Sequence, residues 1–234
     1  MRISSDLRKF TDKEKAILLQ RFFKTGKGEY GEGDVFLGIT VPKQRQIAKK
    51  YALLSITDLQ TLLNSKIHEE RLTALLILVS QYKKADKNKD EKQKEIIFNF
   101  YLKNTKNINN WDLVDLTAPN IVGNYLLDKD KSILYKLAIS DNFWERMISI
   151  ISTFAFIRNS YFKDAIKLSE ILLKDKHDLI HKAVGWALRE IGKKDLNSLI
   201  AFLDKHYKSM PRTMLRYSIE KLSETQRKYY LNKI

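Results

Sequence analysis

Apolar residues recur along most of the chain at the spacing of amphipathic helices. Leu72, Leu75, Leu76 and Val79 follow the i, i+3, i+4, i+7 pattern, and so do Met147, Ile150, Ile151 and Phe154; Leu168, Ile171 and Leu172 repeat its first part. Alternating runs bounded by turn residues are scarce, and Val35-Phe36-Leu37 is the one short piece that reads as extended. Thr11-x-x-Glu14 reads as a capping box that opens a helix through about Phe23. The three prolines, Pro42, Pro119 and Pro211, each stand where a helix can begin. The pattern predicts an all-α chain of about a dozen helices, each of roughly 8–17 residues, joined by short polar turns.

No Pro- or Ser-rich linker divides these helices, so one continuous domain over residues 1–234 is expected. Helices joined this way, without a strict sequence period, suggest stacked helical pairs of the HEAT or armadillo kind. Such an α-α superhelix curves and presents a concave face; a compact helical bundle is the alternative. Five of the eight glycines lie between Gly26 and Gly38. Gly26-x-Gly28-x-x-Gly31 formally matches a dinucleotide fingerprint, but it follows a predicted helix, and two Glu and an Asp would repel a pyrophosphate. A turn-rich connector is expected there. Lys83 to Lys94 is expected to be a solvated loop and the start of the next helix.

Composition narrows the classes. The chain has 234 residues, 44% of them hydrophobic, enough to bury a sizeable core and too many for a disordered tail. Cys is absent, which excludes disulfides, thiolate metal sites and a self-ligated iron–sulfur cluster. No apolar run approaches the ~18 residues that span a bilayer, and Met1 to Asp6 turns polar at once. The expectation is a soluble, intracellular, cytoplasmic protein. The net charge of +15 suggests a polyanionic partner, nucleic acid first. Of the 43 basic residues 32 are Lys, a bias that an AT-rich genome also produces. Lys205 to Ile234, with eight basic and two acidic residues, strengthens the nucleic-acid reading.

Four segments can carry chemistry. In Asn107-Ile-Asn-Asn-Trp111-Asp112-Leu-Val-Asp115, Trp111 and Asp115 are i, i+4 and share a helix face. Asp112 points elsewhere and is expected to cap or pair locally, with Asn109 or Asn110 as the N-cap. A Trp at a helix start is also an ordinary packing residue, but a buried Asp one turn along needs a partner. In Lys182-Ala-Val-Gly185-Trp186-Ala-Leu-Arg189-Glu190, the residues Lys182, Trp186 and Arg189 fall on one face. Gly185 within a helix costs about 1 kcal/mol relative to Ala, which close approach of another backbone or of a ligand would offset. In Asn142-Phe-Trp144-Glu145-Arg146-Met147, Arg146 can reach a phosphate or pair with Glu145 or Asp141. In Met210-Pro-Arg212-Thr-Met-Leu-Arg216, two Arg at i, i+4 open a helix, whose amides already favour an anion. His177 and His181 are i, i+4 but lack the Glu and the third ligand of a zinc site, so no metal is expected. Nucleophile-elbow, phosphate-loop and kinase motifs are absent.

At these residues the chain resembles the AlkD-like DNA alkylation repair proteins, HEAT-like-repeat DNA glycosylases. The resemblance runs from about residue 15 to 222. It rests on Gly28-Glu-Tyr-Gly-Glu-Gly-Asp34 followed by Leu37-Gly-Ile39 and Val41-Pro42, on Arg45-x-Ile47-Ala-Lys49, on Asn110-Trp-Asp-Leu-Val-Asp115, on Trp144-x-Arg146, and on Lys182 to Glu190. It implies a monofunctional glycosylase that removes alkylated purines, typically 3-methyladenine and 7-methylguanine, from double-stranded DNA, with Trp111, Asp115 and Trp186 at the positions of the family's catalytic residues. It further implies a duplex held on a basic concave face without a deep base pocket, and no metal or organic cofactor. Arg146, Lys182, Arg189, Arg212 and Arg216 are the expected DNA contacts. A monomer near the nucleoid, with no required protein partner, suits this. One departure is that the family's two consecutive Arg after the Trp matching Trp144 read Arg146-Met147 here, which would weaken a DNA contact. Lys182 is a candidate lyase amine by spacing alone, and the resemblance argues against it. The competing readings are a non-catalytic HEAT-repeat DNA-binding protein and a helical scaffold for protein partners.

Overall fold

In the computed structural model, which describes residues 1–232, every regular element is helical, and the chain forms two compact units, Met1–Thr117 and Ala118–Ile234. Lys233 and Ile234, the end of the basic C-terminal stretch, lie outside the described residues.

The first unit holds α1 (Arg2–Arg8), α2 (Lys13–Phe22), α3 (Val41–Lys50), α4 (Ile56–Leu63), α5 (His68–Lys87), α6 (Glu91–Lys103) and α7 (Trp111–Thr117). At 20 residues, α5 is its centre and packs against α3, α4, α6 and α7. Leu72, Leu75, Leu76, Ile77, Leu78 and Val79 are all buried, so this helix is apolar on every side and not only on the stripe that the spacing shows. Each such side chain contributes about 1.5–3 kcal/mol when removed from water. Its first turn, however, is polar and buried: His68, Glu69, Glu70 and Arg71. Glu69 explains the extended piece before α3, because its carboxylate accepts the N–H groups of Leu37, Gly38 and Ile39 at 2.8–3.2 Å. Gly38 is required there, with φ of +83° and the Asp12 carbonyl oxygen 2.1 Å from where a Cβ would stand. Val35 makes an isolated parallel bridge to Ile67, and no strand forms among the described residues.

The second unit holds a π-helical turn, Pro119–Gly123, then α8 (Ser132–Ala138), α9 (Phe143–Ser152), α10 (Phe154–Arg158), α11 (Lys163–Ile171), α12 (Asp178–Lys194), α13 (Leu196–His206), α14 (Arg212–Ser218) and α15 (Glu224–Asn232). Its centre is α12, 17 residues long, which packs on α9, α10, α11, α13 and α14. The consecutive helices α8 and α9 pack on each other, and α12 packs most extensively on α14, across the intervening α13, as stacked helices of the expected helical-repeat fold do.

Several local expectations are corrected. The cap of α2 is Asp12, not Thr11, since Asp12 Oδ1 accepts the Lys15 N–H at 3.0 Å. Lys83–Lys87 is helical, the last turn of α5, and only Asn88–Asp90 lies between α5 and α6. Met147 to Phe154 is not one helix. The Ser152 and Thr153 hydroxyls donate to the Ile148 and Ile150 carbonyls, both at 2.6 Å, and α9 ends there before α10 starts. Helix lengths run from 5 to 20 residues, wider than expected.

Candidate active site

The Asn-Asn-Trp-Asp block forms α7 as expected, with Asn110 Oδ1 accepting the Trp111 N–H at 2.9 Å. Trp111 is half-buried. Its ring stacks on Phe23, with centroids 5.1 Å apart and planes at 17°, and meets the edge of Phe22 at 5.8 Å. Phe22 is 62% exposed, so the rings run from the core to solvent. One turn along α7, Asp115 is mostly enclosed, and its Oδ1 is buried without a hydrogen-bond partner. Burial, and then the nearby Asp112 charge, push its carboxyl up to about 7. Near neutral pH this group is therefore poised between acid and carboxylate.

Asp112 pairs locally, as expected, and also over long range. It is buried and its Oδ2 lies 2.9 Å from His68 Nε2, a residue 44 positions away, while Oδ1 accepts the Leu113 N–H. His68 Nδ1 in turn lies 3.2 Å from Asp34 Oδ2, and Asp34 Oδ1 accepts from Arg71 at 2.7 Å. Asn110 Nδ2 also reaches Asp34, at 3.4 Å. Burial pushes the Asp34 carboxyl upward, but the His68 hydrogen bond and the Arg71 charge more than reverse this and hold it below its usual value. Burial likewise acts to lower the His68 pKa, and Asp112 and Asp34 outweigh it, so the ring is held above its usual value. Sequence reasoning missed this cluster. The signal was present as four polar residues, His68 to Arg71, directly before the most apolar run in the chain.

In the second unit, Lys182, Trp186 and Arg189 do share a face of α12. Gly185 is explained by backbone: an added Cβ would stand 2.5 Å from Tyr217 Cβ and 2.6 Å from the Met214 carbonyl oxygen, both on α14. Trp186 is half-buried beside Phe154, centroids 4.4 Å apart, and its Nε1 donates to Glu190 Oε1 at 3.2 Å. The cations around it are engaged. Lys182 pairs with Asp178 at 2.7 Å, and Arg189 pairs with Glu220 and lies 3.6 Å from Glu190. Arg146 bonds Asp175 at 2.6 Å and the carbonyls of Ser140 and Asp141, so it joins the start of α9 to the approach of α12 instead of pairing with Glu145. Trp144 is a core residue, and so is Met147, which is buried and points away from any surface contact. His177 Nδ1 accepts the Leu179 N–H and caps α12, and His181 Nε2 faces the Asp175 carbonyl at 2.5 Å. Arg212 donates to the Leu231 carbonyl at 3.0 Å. Arg216 is exposed and has no ion pair or hydrogen bond among the described residues.

Residues 3–222 match the family model described as DNA alkylation repair enzyme. The chain belongs to the DNA alkylation repair enzyme family. The family's role is the repair of alkylated DNA, and the match crosses both units. Among solved structures, a "Predicted DNA alkylation repair enzyme from Enterococcus faecalis" is similar with a TM-score of 0.68 at 15% identity, over 92% of this chain and 97% of that one. At that identity the likeness speaks for the helical fold. No curated protein matches the sequence. Among the described residues of this family member, no helix is long and apolar enough to cross a membrane.

Proposed function

We propose that this repair enzyme is a monofunctional DNA glycosylase for positively charged alkylpurines, 3-methyladenine and 7-methylguanine, in double-stranded DNA. The observation that carries the reading is Asp115: a carboxyl with a buried, partnerless oxygen, one helical turn along α7 from Trp111. Alkylation at N3 or N7 leaves the purine cationic. When the bond between the sugar C1′ and the base nitrogen breaks, its electron pair neutralises the base, and positive charge passes to the sugar. A fixed anion beside that sugar stabilises the transition state more than the ground state. Asp115 serves as that anion and orients the water whose oxygen bonds to C1′; the proton this water sheds passes to the Asp115 carboxylate and on to solvent as the abasic sugar forms. Trp111 offers an electron-rich face to the cationic sugar, contributing about 0.5–2 kcal/mol; Trp186, in the second unit, offers an aromatic face of its own to the DNA. The charge on the alkylated base itself activates the leaving group, so the reaction uses no metal or organic cofactor. The duplex is held without a deep base pocket.

Arg216, Arg212 and Lys182 contribute phosphate contacts, which position the duplex without reading its sequence. Arg146 and Arg189, already engaged by Asp175 and Glu220, contribute more to the fold than to the contact. The chain works as one domain over residues 1–234, as a monomer in the cytoplasm at the nucleoid, without an obligatory protein partner. The test is release of 7-methylguanine from a defined duplex by excess protein, with binding to the same duplex measured alongside. Asp115→Asn is expected to slow release by roughly two to four tenfold steps while binding stays within a few-fold. Salt-dependent binding with no release by the wild type would instead identify a non-catalytic DNA-binding protein.

A further inference from the structure

The cluster beneath α7 has a stoichiometry that its geometry dictates. Both ring nitrogens of His68 face carboxylate oxygens, Asp112 Oδ2 at 2.9 Å and Asp34 Oδ2 at 3.2 Å. A carboxylate only accepts, and a neutral imidazole donates from one nitrogen alone, so both contacts are satisfied when the ring carries two N–H groups and a positive charge. The ring packs against Phe36, with centroids 4.5 Å apart, and Phe23, at 5.1 Å, which also stack on each other at 5.0 Å, and it is 1% exposed, so water supplies neither contact. Two cations, His68 and Arg71, thus face two anions, Asp34 and Asp112. The residue following His68, Glu69, is committed to the loop amides of Leu37 to Ile39.

We infer that His68 is a positioning residue of the site: a buried imidazolium that clamps the start of α7 through Asp112 and, by way of Asp34 and Asn110, the Trp111 end, and that offsets the Asp112 charge so that Asp115 is the one carboxylate left unpaired on the helix. The inference rests on Asp115 being the working carboxylate. Two paths lead from the ring to the site. One runs through Asp112 into α7 and so to Asp115, three residues on. The other runs through Asp34 to Asn110 Nδ2, whose Oδ1 holds the Trp111 N–H. The charge that acts on Asp115 is Asp112, on its own helix; Asp115 in turn helps to raise the Tyr101 hydroxyl from α6, which is turned to Thr117 at 2.9 Å. Without a cation at position 68, Asp112 would repel a second negative charge on α7 in full, and Asp115 would take up its carboxylate form only at higher pH.

The test follows the Asp115 side-chain carboxyl carbon by 13C NMR through a pH titration of wild type, His68→Gln and Asp112→Asn, without DNA. His68→Gln is expected to move the Asp115 midpoint upward by roughly one to two pH units, and Asp112→Asn to move it downward. A lost packing contact alone would not produce opposite shifts. An Asp115 midpoint unchanged in His68→Gln overturns the inference. Should that variant fail to fold, the wild-type ring decides by 15N NMR: both His68 nitrogens protonated at neutral pH supports the inference, and a neutral tautomer overturns it. Base release measured on the same variants should show its acid limb displaced with the Asp115 midpoint. Since the titrations need no DNA, an absence of base release would count against the glycosylase reading and leave the His68 result legible.

Discussion

The two tryptophan helices treat charge in opposite ways. Around Trp186 in the second unit, nearby charges are neutralised by short pairs: Lys182 with Asp178, Arg189 with Glu220, Lys193 with Glu190, and Arg146 with Asp175. Around Trp111 in the first unit, the deep charges are balanced with similar care, but the balance stops one residue short. Asp34, Asp112, His68 and Arg71 pair with one another, while Asp115 Oδ1 is buried with no hydrogen-bond partner. Burying a polar atom without a partner costs about 1–3 kcal/mol. Asp115 carries that cost with no ion pair to offset it, at a place where a cationic ligand would relieve it. In the second unit, Arg146–Asp175 ties α9 to the approach of α12, while Lys182–Asp178 and Lys193–Glu190 pair within α12; the first unit's cluster supports a group that is left unpaired.

The contrast can be broken at either end. The largest expected effect on stability lies in the second unit. Arg146→Ala leaves the Asp175 carboxylate, 5% exposed, with only the His177 N–H, and should cost roughly 2–4 kcal/mol in denaturant unfolding, with DNA affinity per folded molecule changed little. A large affinity loss with unchanged stability would return Arg146 to the phosphate contacts. Gly185→Ala comes next. It drives a Cβ into α14 backbone and should cost roughly 1–3 kcal/mol in thermal unfolding. If Ala at this position stabilised the protein, the close approach of α12 and α14 would be mistaken.

Asp115→Asn should have the opposite sign. The folded-state pKa of Asp115 lies near 7, above its ordinary 3.8, so the folded protein binds this proton more tightly than the unfolded chain. That contribution is fully present below about pH 4 and is lost as the pH rises through 7. Removing the titratable group should therefore stabilise the protein by roughly 1–3 kcal/mol above pH 7 and by little below pH 4. A variant less stable than wild type at pH 8 would show that Asp115 has a partner. The smallest effect is expected from Arg216→Ala: a several-fold loss of binding to damaged and undamaged duplex alike, and a salt dependence shallower by about one counterion. A loss confined to damaged duplex would mean that Arg216 touches more than phosphate.

Much of this was legible in the chain, and the exceptions share a cause. Helical spacing and residue type placed Trp111 and Asp115 one turn apart on α7, and placed Lys182, Trp186 and Arg189 on one face of α12, because both are local properties of a helix. Gly185 announced a close approach, and the Met214 backbone supplies it. What was not legible depended on residues far along the chain. The partner of Asp112 is His68, 44 residues away, so a local cap was the nearest reading. Arg146 and Arg189 looked like free cations because Asp175 and Glu220 lie 29 and 31 residues further on. Met147 looked like a missing DNA contact, yet it completes the apolar face that buries α9. The break between α9 and α10 turned on two hydroxyls, which an apolar pattern does not register.

The most direct test of the central claim is the pH dependence of single-turnover 7-methylguanine release, wild type against Asp115→Asn. If the unpaired carboxylate does the work, the wild-type rate climbs tenfold per pH unit below a midpoint near 7 and then levels, as Asp115 ionises. The variant is slow and flat over the same range. An identical acid limb in both proteins, or equal rates, would contradict the role given to Asp115.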